Sequence, residues 1–224
     1  MKISEIFYSV QGEGMLTGVP SVFVRTSGCN LRCTWCDTPY TSWQPEGSER
    51  TVESIVQDVN QYPASHVVIT GGEPMIAPEI AELTREIARH ITIETAGTVF
   101  ADVRCDLMSI SPKLANSTPR ERDGGRWAAQ HERLRYQPGV LKKLMNRYEY
   151  QLKFVVAEPG DLDEVAAIAA DLKAETQRIV LMPEGTDADV LTQRGRWLVE
   201  ICKQRGYRFS PRLHIQLWGN RRGV

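Results

Sequence analysis

Short apolar runs rich in β-branched residues alternate along this chain with stretches whose apolar positions recur every three or four residues, which predicts strands and helices taking turns. Lys2 to Val10 carries Ile3, Ile6, Phe7 and Val10 and reads as a strand or extended arm, while Ser21 to Thr26 and His66 to Thr70 are compact buried strands. Thr51 is placed to cap a helix with Val52, Ile55, Val56 and Val59 on one face. Pro78 to His90 predicts a crossover helix on Ile80, Leu83 and Ile87, with Arg89 and His90 at the end where the helix dipole favours cations. Further strands are expected at Ile91 to Thr98, Cys105 to Ile110, Tyr150 to Val156 and Arg178 to Met182, and further helices at Pro138 to Arg147, Asp161 to Ala174 and Asp187 to Arg205, the last closed by Gly206. Leu213 to Trp218 reads as a final strand. Thr38 to Arg50 reads as a polar loop over the strand ends, and Ala115 to Gln137, with little periodicity, as a surface excursion whose arginines face solvent.

Strands followed by helices predict a parallel α/β sheet. A closed eight-fold barrel of this kind takes about 250 residues, so a chain of 224 residues predicts a partial, open (β/α) barrel of about six parallel strands, in a single domain spanning 1–224. Active sites of such folds lie on the rim where the strands end. Several strands here end in small or polar residues, among them Gly71-Gly72-Glu73-Pro74, Glu94 and Ser111-Pro112-Lys113, and Arg25 near its strand end is placed to reach an anion with its planar fork.

Charge narrows the partners. Lys+Arg 27 against Asp+Glu 28 leaves a net charge of −1, without the basic excess of a nucleic-acid binder. No apolar run is long enough for a membrane helix, and no charged-then-apolar leader opens the chain. A cytoplasmic protein with no nucleic-acid or membrane partner is expected, in a compartment where thiols stay reduced.

Three of the five cysteines fall within eight residues, as Cys29-x3-Cys33-x2-Cys36. A structural zinc site closes with four protein ligands, usually in two pairs, and no second pair exists here. Iron–sulfur cubanes are held by cysteine thiolates, and three of them would leave one iron open to a ligand that is not protein. Cys105 in a strand and Cys202 on a helix read as small buried hydrophobes. His66, His90, His131 and His214 share no metal-ligand spacing, and only His214 lies near the expected rim.

The Cys-x3-Cys-x2-Cys spacing, with Trp35 just before the last cysteine and Gly71-Gly72-Glu73-Pro74 at the end of a later strand, resembles the radical S-adenosylmethionine enzymes. Within them, Gln11-Gly12-Glu13-Gly14, Thr17 to Pro20, Arg25, Asp37-Thr38, Ile69 to Pro74, Ile93-Glu94-Thr95 and Ser111-Pro112-Lys113 resemble the 7-carboxy-7-deazaguanine synthase family, which makes 7-deazapurines such as queuosine. The resemblance implies one [4Fe-4S] cluster on Cys29, Cys33 and Cys36, with S-adenosylmethionine on the open iron. It implies a radical delivered by that cofactor rather than by a catalytic side chain, and contraction of 6-carboxy-5,6,7,8-tetrahydropterin with loss of ammonia. Trp35, Cys36, Asp37, Gly72, Glu94, Ser111, Pro112, Lys113 and, more loosely, Lys153 are expected at S-adenosylmethionine. Val10, Gln11, Gly12, Glu13, Arg25, Thr70 and, more loosely, Gln216 are expected at the pterin. Thr38 matches the family's Mg²⁺ ligand, an ion content with one or two protein ligands when substrate oxygens and water complete its shell. An external one-electron reductant is implied, and a homodimer could cover the edges of an open barrel. Another small radical enzyme, or a non-enzymatic iron–sulfur or zinc module, remains the competing reading.

Overall fold

Strand β1 (Lys2–Val10) pairs antiparallel with β2 (Pro20–Thr26), and from β2 onward every neighbouring pair is parallel. A computed structural model describes all 224 residues. Its single sheet runs β3-β1-β2-β4-β5-β6-β7-β8-β9, with β3 (Ser48–Glu49), β4 (His66–Gly71), β5 (His90–Thr95), β6 (Leu107–Ile110), β7 (Tyr150–Val156), β8 (Ile179–Pro183) and β9 (Arg208–Phe209). The sheet never closes, and both edges are two-residue strands, short enough to offer little template for further pairing. Six parallel strands from β2 to β8 form the open barrel that the pattern predicts. No helix is long and apolar enough to cross a membrane.

The strand period of two divides the residues between two faces. Val22 and Val24 of β2, Val67 and Ile69 of β4, Ile91 and Ile93 of β5, Met108 and Ile110 of β6, and Leu152, Phe154 and Val156 of β7 join the main core. The outer helices complete that core: α2 (Val52–Asn60), α3 (Ile80–Glu86), α5 (Pro138–Arg147), α6 (Asp161–Leu172) and α7 (Ala188–Arg205) contribute Ile55, Leu83, Leu141, Val165 and Leu198. The intervening residues Phe23, Arg25, Thr70, Glu94, Ser109, Lys153 and Met182 line the concave face instead. One alternation therefore builds the core and delivers the polar residues to a common cavity.

Several caps follow the sequence. The Thr51 side chain accepts from the backbone N–H of Ser54 at 3.2 Å, Asp187 caps α7 through the N–H groups of Asp189 and Val190, and Gly206 ends it in the left-handed region with φ 70°.

Four expectations need correction. The crossover helix is shorter than Pro78 to His90: α3 stops at Glu86, because His90 must already lie beside His66 to begin β5, and Arg89 holds the return by donating to the Ala64 carbonyl at 2.7 Å. Thr38 to Arg50 is not all loop, since it forms the single-turn α1 (Pro39–Ser42) and the edge strand β3. Leu213 to Trp218 is a helix, α8: the two-residue β9 takes the place beside β8, and the segment satisfies its N–H groups locally, Ile215 and Gln216 donating to the Arg212 carbonyl.

The fourth concerns Ala115 to Gln137, which holds α4 (Ala128–Arg135) and braces the cysteine loop from outside. Buried His131 accepts from the Arg32 N–H at 3.1 Å and bonds Ser117 at 2.8 Å, Arg122 donates to the Thr34 carbonyl at 2.8 Å, and Arg135 pairs with Glu132 and Glu164. Only Arg120, Arg126 and Arg133 of its five arginines are exposed to solvent.

Candidate active site

At the open mouth of the half-barrel lies a cavity of about 460 Å³, within the roughly 300–1,000 Å³ of small-molecule sites. Its walls are the polar strand ends. Thr70 donates to Glu94 at 2.8 Å, and Gln11 donates to the other oxygen of Glu94 at 3.2 Å. Arg25 enters over the Phe7 ring and is fixed by Glu5 at 2.7 Å, Tyr40 donating to the same Glu5 oxygen at 2.9 Å.

Cys29, Cys33 and Cys36 line this cavity together, on the loop after β2. Burial pushes the thiols of Cys29 and Cys33 up to about 12. Cys36 Sγ lies 3.1 Å from the Ser42 hydroxyl, and the Trp43 indole donates to the Cys33 carbonyl at 3.0 Å. Lys113 reaches over the Trp35 ring from β6, its ammonium donating to Ser111 at 2.9 Å.

The glycines after β4 abut the cysteine loop. A Cβ on Gly72 would overlap the Gly28 carbonyl and lie 2.8 Å from the Thr41 carbonyl oxygen, so no larger residue fits between the two loops. Glu73 is 1% exposed and points away from the cavity, accepting from Thr95 Oγ1 at 2.7 Å, Ala96 N at 2.8 Å and Met75 N at 3.1 Å. It staples the rim of β4 to the rim of β5.

A largely buried ionic chain runs from the end of the cysteine loop. Lys153 and Arg212 each bind one oxygen of Glu13, and Arg212 also binds Asp37. Burial opposes ionisation of both acids, but Lys153 and Arg212 outweigh it at Glu13, and Arg212 does so at Asp37, holding both carboxyls below their ordinary range. Burial likewise opposes the charge on Lys153, and Glu13 overcomes it. His214 packs over Gly12, where a Cβ would strike its ring.

Comparison with known proteins places this arrangement. The Radical SAM superfamily model matches residues 23–135. The 7-carboxy-7-deazaguanine synthase of Halobacterium salinarum is 44% identical over 234 residues, covering 98% of this chain and 91% of the relative; that of Rhodopirellula baltica is 47% identical over 226 residues, covering 99% and 88%. The chain belongs to the 7-carboxy-7-deazaguanine synthase family of radical SAM enzymes. The crystal structure of QueE from Escherichia coli superposes with a TM-score of 0.67 at 28% identity, covering 95% of this chain and 94% of that one. SuiB of Streptococcus suis, at 13% identity and a TM-score of 0.59, shares the fold.

Membership in the synthase family brings a [4Fe-4S] cluster and S-adenosylmethionine as the expected cofactors, and the donor set suits a cluster. Three thiols, the ligand type of iron–sulfur clusters, line one cavity from a single loop.

Of the residues expected at S-adenosylmethionine, Trp35, Cys36, Asp37, Gly72, Glu94, Ser111, Lys113 and Lys153 line the cavity; Pro112 is buried behind it. Of those expected at the pterin, Val10, Gln11, Gly12, Glu13, Arg25 and Thr70 line it, as does Thr38. Gln216 does not. It is exposed on α8, because a helix turns it away from the cavity that its neighbour two positions back, His214, lines.

Sequence reading missed Arg212, whose role depends on folding Pro211 to His214 back against the Gln11-to-Gly14 arm, which no local pattern announces. It also missed Tyr40 and Glu5, which fix Arg25, and the stapling role of Glu73.

Proposed function

We propose that this chain is a 7-carboxy-7-deazaguanine synthase, converting 6-carboxy-5,6,7,8-tetrahydropterin to 7-carboxy-7-deazaguanine with loss of ammonia, in one radical SAM domain over residues 1–224. The observation that carries the reading is the shared cavity: three thiols on one wall, polar strand ends on the other, and a relative of the same name 47% identical over nearly the whole chain. Cys29, Cys33 and Cys36 would hold the [4Fe-4S] cluster, which with one electron from the external reductant would cleave S-adenosylmethionine to methionine and a 5′-deoxyadenosyl radical for hydrogen abstraction.

The chain's own side chains bind and orient. Gly72 brings backbone close to the methionine moiety, while Ser111 and Lys113 offer a hydroxyl and an ammonium to polar groups of the nucleoside or its carboxylate. Arg25, aimed by Glu5, receives the substrate carboxylate with a fork of donors. Thr38, with that carboxylate and water, would hold Mg²⁺. Thr70 would face the polar edge of the pterin and Glu94, its acceptor, the nucleoside of S-adenosylmethionine, while Phe7 and Phe23, stacked at 4.9 Å, form an apolar wall of the cavity. An external one-electron reductant, a reducing cytoplasmic setting and a homodimer complete the reading.

The test is anaerobic reconstitution with iron and sulfide, then incubation with reductant, S-adenosylmethionine, Mg²⁺ and the carboxypterin, followed by mass detection of the deazaguanine. Product that disappears in Cys33→Ala is expected. Deoxyadenosine without product would move the substrate assignment to another small radical enzyme, and a colourless, inert protein would remove the cluster. Sedimentation of the reconstituted enzyme decides the dimer.

A further inference from the structure

Arg212 joins parts of the site that are remote in sequence. It is 6% exposed, and it is the residue before α8, accepting through its carbonyl the first hydrogen bonds of that helix. Its Nε donates to Glu13 Oε1 at 3.0 Å, one terminal nitrogen donates to the Gly185 carbonyl after β8, and the other binds Asp37, the residue that follows Cys36. Glu13 has a second cation in Lys153. Asp37 has no other side-chain hydrogen bond or ion pair, so its placement depends on Arg212 alone.

The backbone around these groups interlocks as well. Leu213 N donates to the Gly12 carbonyl at 2.9 Å, and Gly14 N donates to Ser210 Oγ at 2.7 Å, zipping the Gln11-to-Gly14 arm to the segment that carries Arg212. The arm and the cysteine loop leave β1 and β2 at places 175 or more residues from Arg212 in the chain, and the guanidinium is their direct ionic link.

We propose that Arg212 is a positioning residue that fixes the substrate arm and the end of the cysteine loop in one frame, and so sets the placement of the carboxypterin relative to the radical source. The inference rests on the synthase reading for its catalytic consequence, while its mechanical content stands on the chain itself. Only a planar fork with several donors can bind two carboxylates and a carbonyl at once; a lysine ammonium is a compact point charge on a flexible stem and cannot span the same set. Loss of the clamp frees two loops whose relative placement decides whether hydrogen is taken from substrate, and a misplacement of about 1 Å between reacting groups can cost on the order of 100-fold in rate.

The experiment compares wild type, Arg212→Lys and Asp37→Asn in two arms. In the first, amide hydrogen exchange is followed on cluster-free protein. Arg212→Lys is expected to speed exchange at least tenfold in both 11–14 and 36–42 while β4 and β5 keep their protection; Asp37→Asn, which leaves Arg212 and Glu13 paired, is expected to loosen 36–42 and leave 11–14 protected. In the second, reconstituted enzyme is given carboxypterin, and deoxyadenosine released without product is compared with product formed. The clamp predicts a ratio at least tenfold above wild type for Arg212→Lys.

Faster exchange confined to 212–218 in Arg212→Lys, or unchanged exchange of 36–42 in Asp37→Asn, would overturn the coupling, as would product and deoxyadenosine falling in parallel. Should Arg212→Lys fail to fold, Asp37→Asn decides in the exchange arm. Should wild type release deoxyadenosine but never contract the pterin, the synthase reading fails, and the exchange arm still judges the clamp.

Discussion

Replacing Glu73 with glutamine changes one oxygen to an NH₂ group and nothing else in size, which makes it a clean test of the staple between β4 and β5. The carboxylate lies in a site 1% exposed, with donors converging on both oxygens: Thr95 and Met75 on Oε1, Ala96 on Oε2. Burial pushes its carboxyl above the ordinary range, and the bonds from Thr95, Met75 and Ala96 oppose that. A glutamine can keep its oxygen toward Thr95 and Met75, but its NH₂ then faces the Ala96 N–H, leaving two buried donors against each other. The loss of one bond to a charged acceptor, together with a buried unsatisfied donor, is worth about 2–3 kcal/mol. For a chain of this length each kcal/mol lowers the melting temperature by about 2–4 °C, so a drop of roughly 5–10 °C is expected, with an unchanged urea m-value. Glu73→Ala removes all three acceptor contacts and should fall further. Urea and thermal unfolding of cluster-free protein measure both. A Glu73→Gln midpoint within error of wild type would refute the reasoning, since it would mean that the group already behaves as a neutral acid that glutamine imitates.

Other perturbations read different parts of the site. Gly72→Ala puts a methyl group into the Gly28 carbonyl; an overpacking cost of about 1–3 kcal/mol and at least a tenfold loss of S-adenosylmethionine affinity are expected, and unchanged affinity by equilibrium dialysis would show that the two loops part without consequence. Burial, aided by His90, pushes the His66 imidazole down to about 4, so the unfolded chain takes up its proton first; the stability contributed by neutral His66 is complete above pH of about 6.5 and is lost as pH falls toward 4. His66→Gln should flatten that slope in urea midpoints, and an unaltered slope would exonerate the group. Arg122→Ala removes the donor to the Thr34 carbonyl and the cation over the Trp43 ring at 4.1 Å; faster loss of brown colour during anaerobic dialysis is expected, and retention equal to wild type would show that the outer brace does not hold the cysteine loop.

Much of the barrel is legible in the chain because most parallel strands are short, largely apolar runs in which β-branched residues recur. Thr70 and Glu94 come near the ends of two of them, and both prove to lie on the concave face. The same rule misleads at Leu213 to Trp218, where Leu213, Ile215 and Leu217 alternate like a strand, yet only Ile215 is fully buried and β9 already takes the place beside β8. Strand pairing is a property of the edge as much as of the segment, and a segment's sequence does not say whether an edge is taken. Ala115 to Gln137 hides its role for a related reason. His131, Arg122 and Arg135 are polar residues that act by bonding backbone carbonyls, N–H groups and carboxylates of other segments, so they carry no periodic signal.

The site divides in the same way. Cysteine spacing and the Gly71-Gly72 pair are local requirements and can be read directly, because thiol ligands on one loop and close backbone approach each need particular residues at particular spacings. The ionic chain Lys153–Glu13–Arg212–Asp37 is drawn from four distant segments, with each member looking like an ordinary surface charge when read alone. Its physical logic appears only once burial is known. Charges taken out of water, as Lys153, Glu13 and Arg212 are and Asp37 is in part, are tolerable when each has a partner of the opposite sign and directed hydrogen bonds, whereas removal of one member strands the rest. In this protein the member whose removal would strand most is Arg212, because Glu13 keeps Lys153 while Asp37, with a side chain 35% exposed, keeps only water. The asymmetry predicts that neutralising Glu13 will be milder for the cysteine loop than neutralising Arg212, although both break the same ion pair.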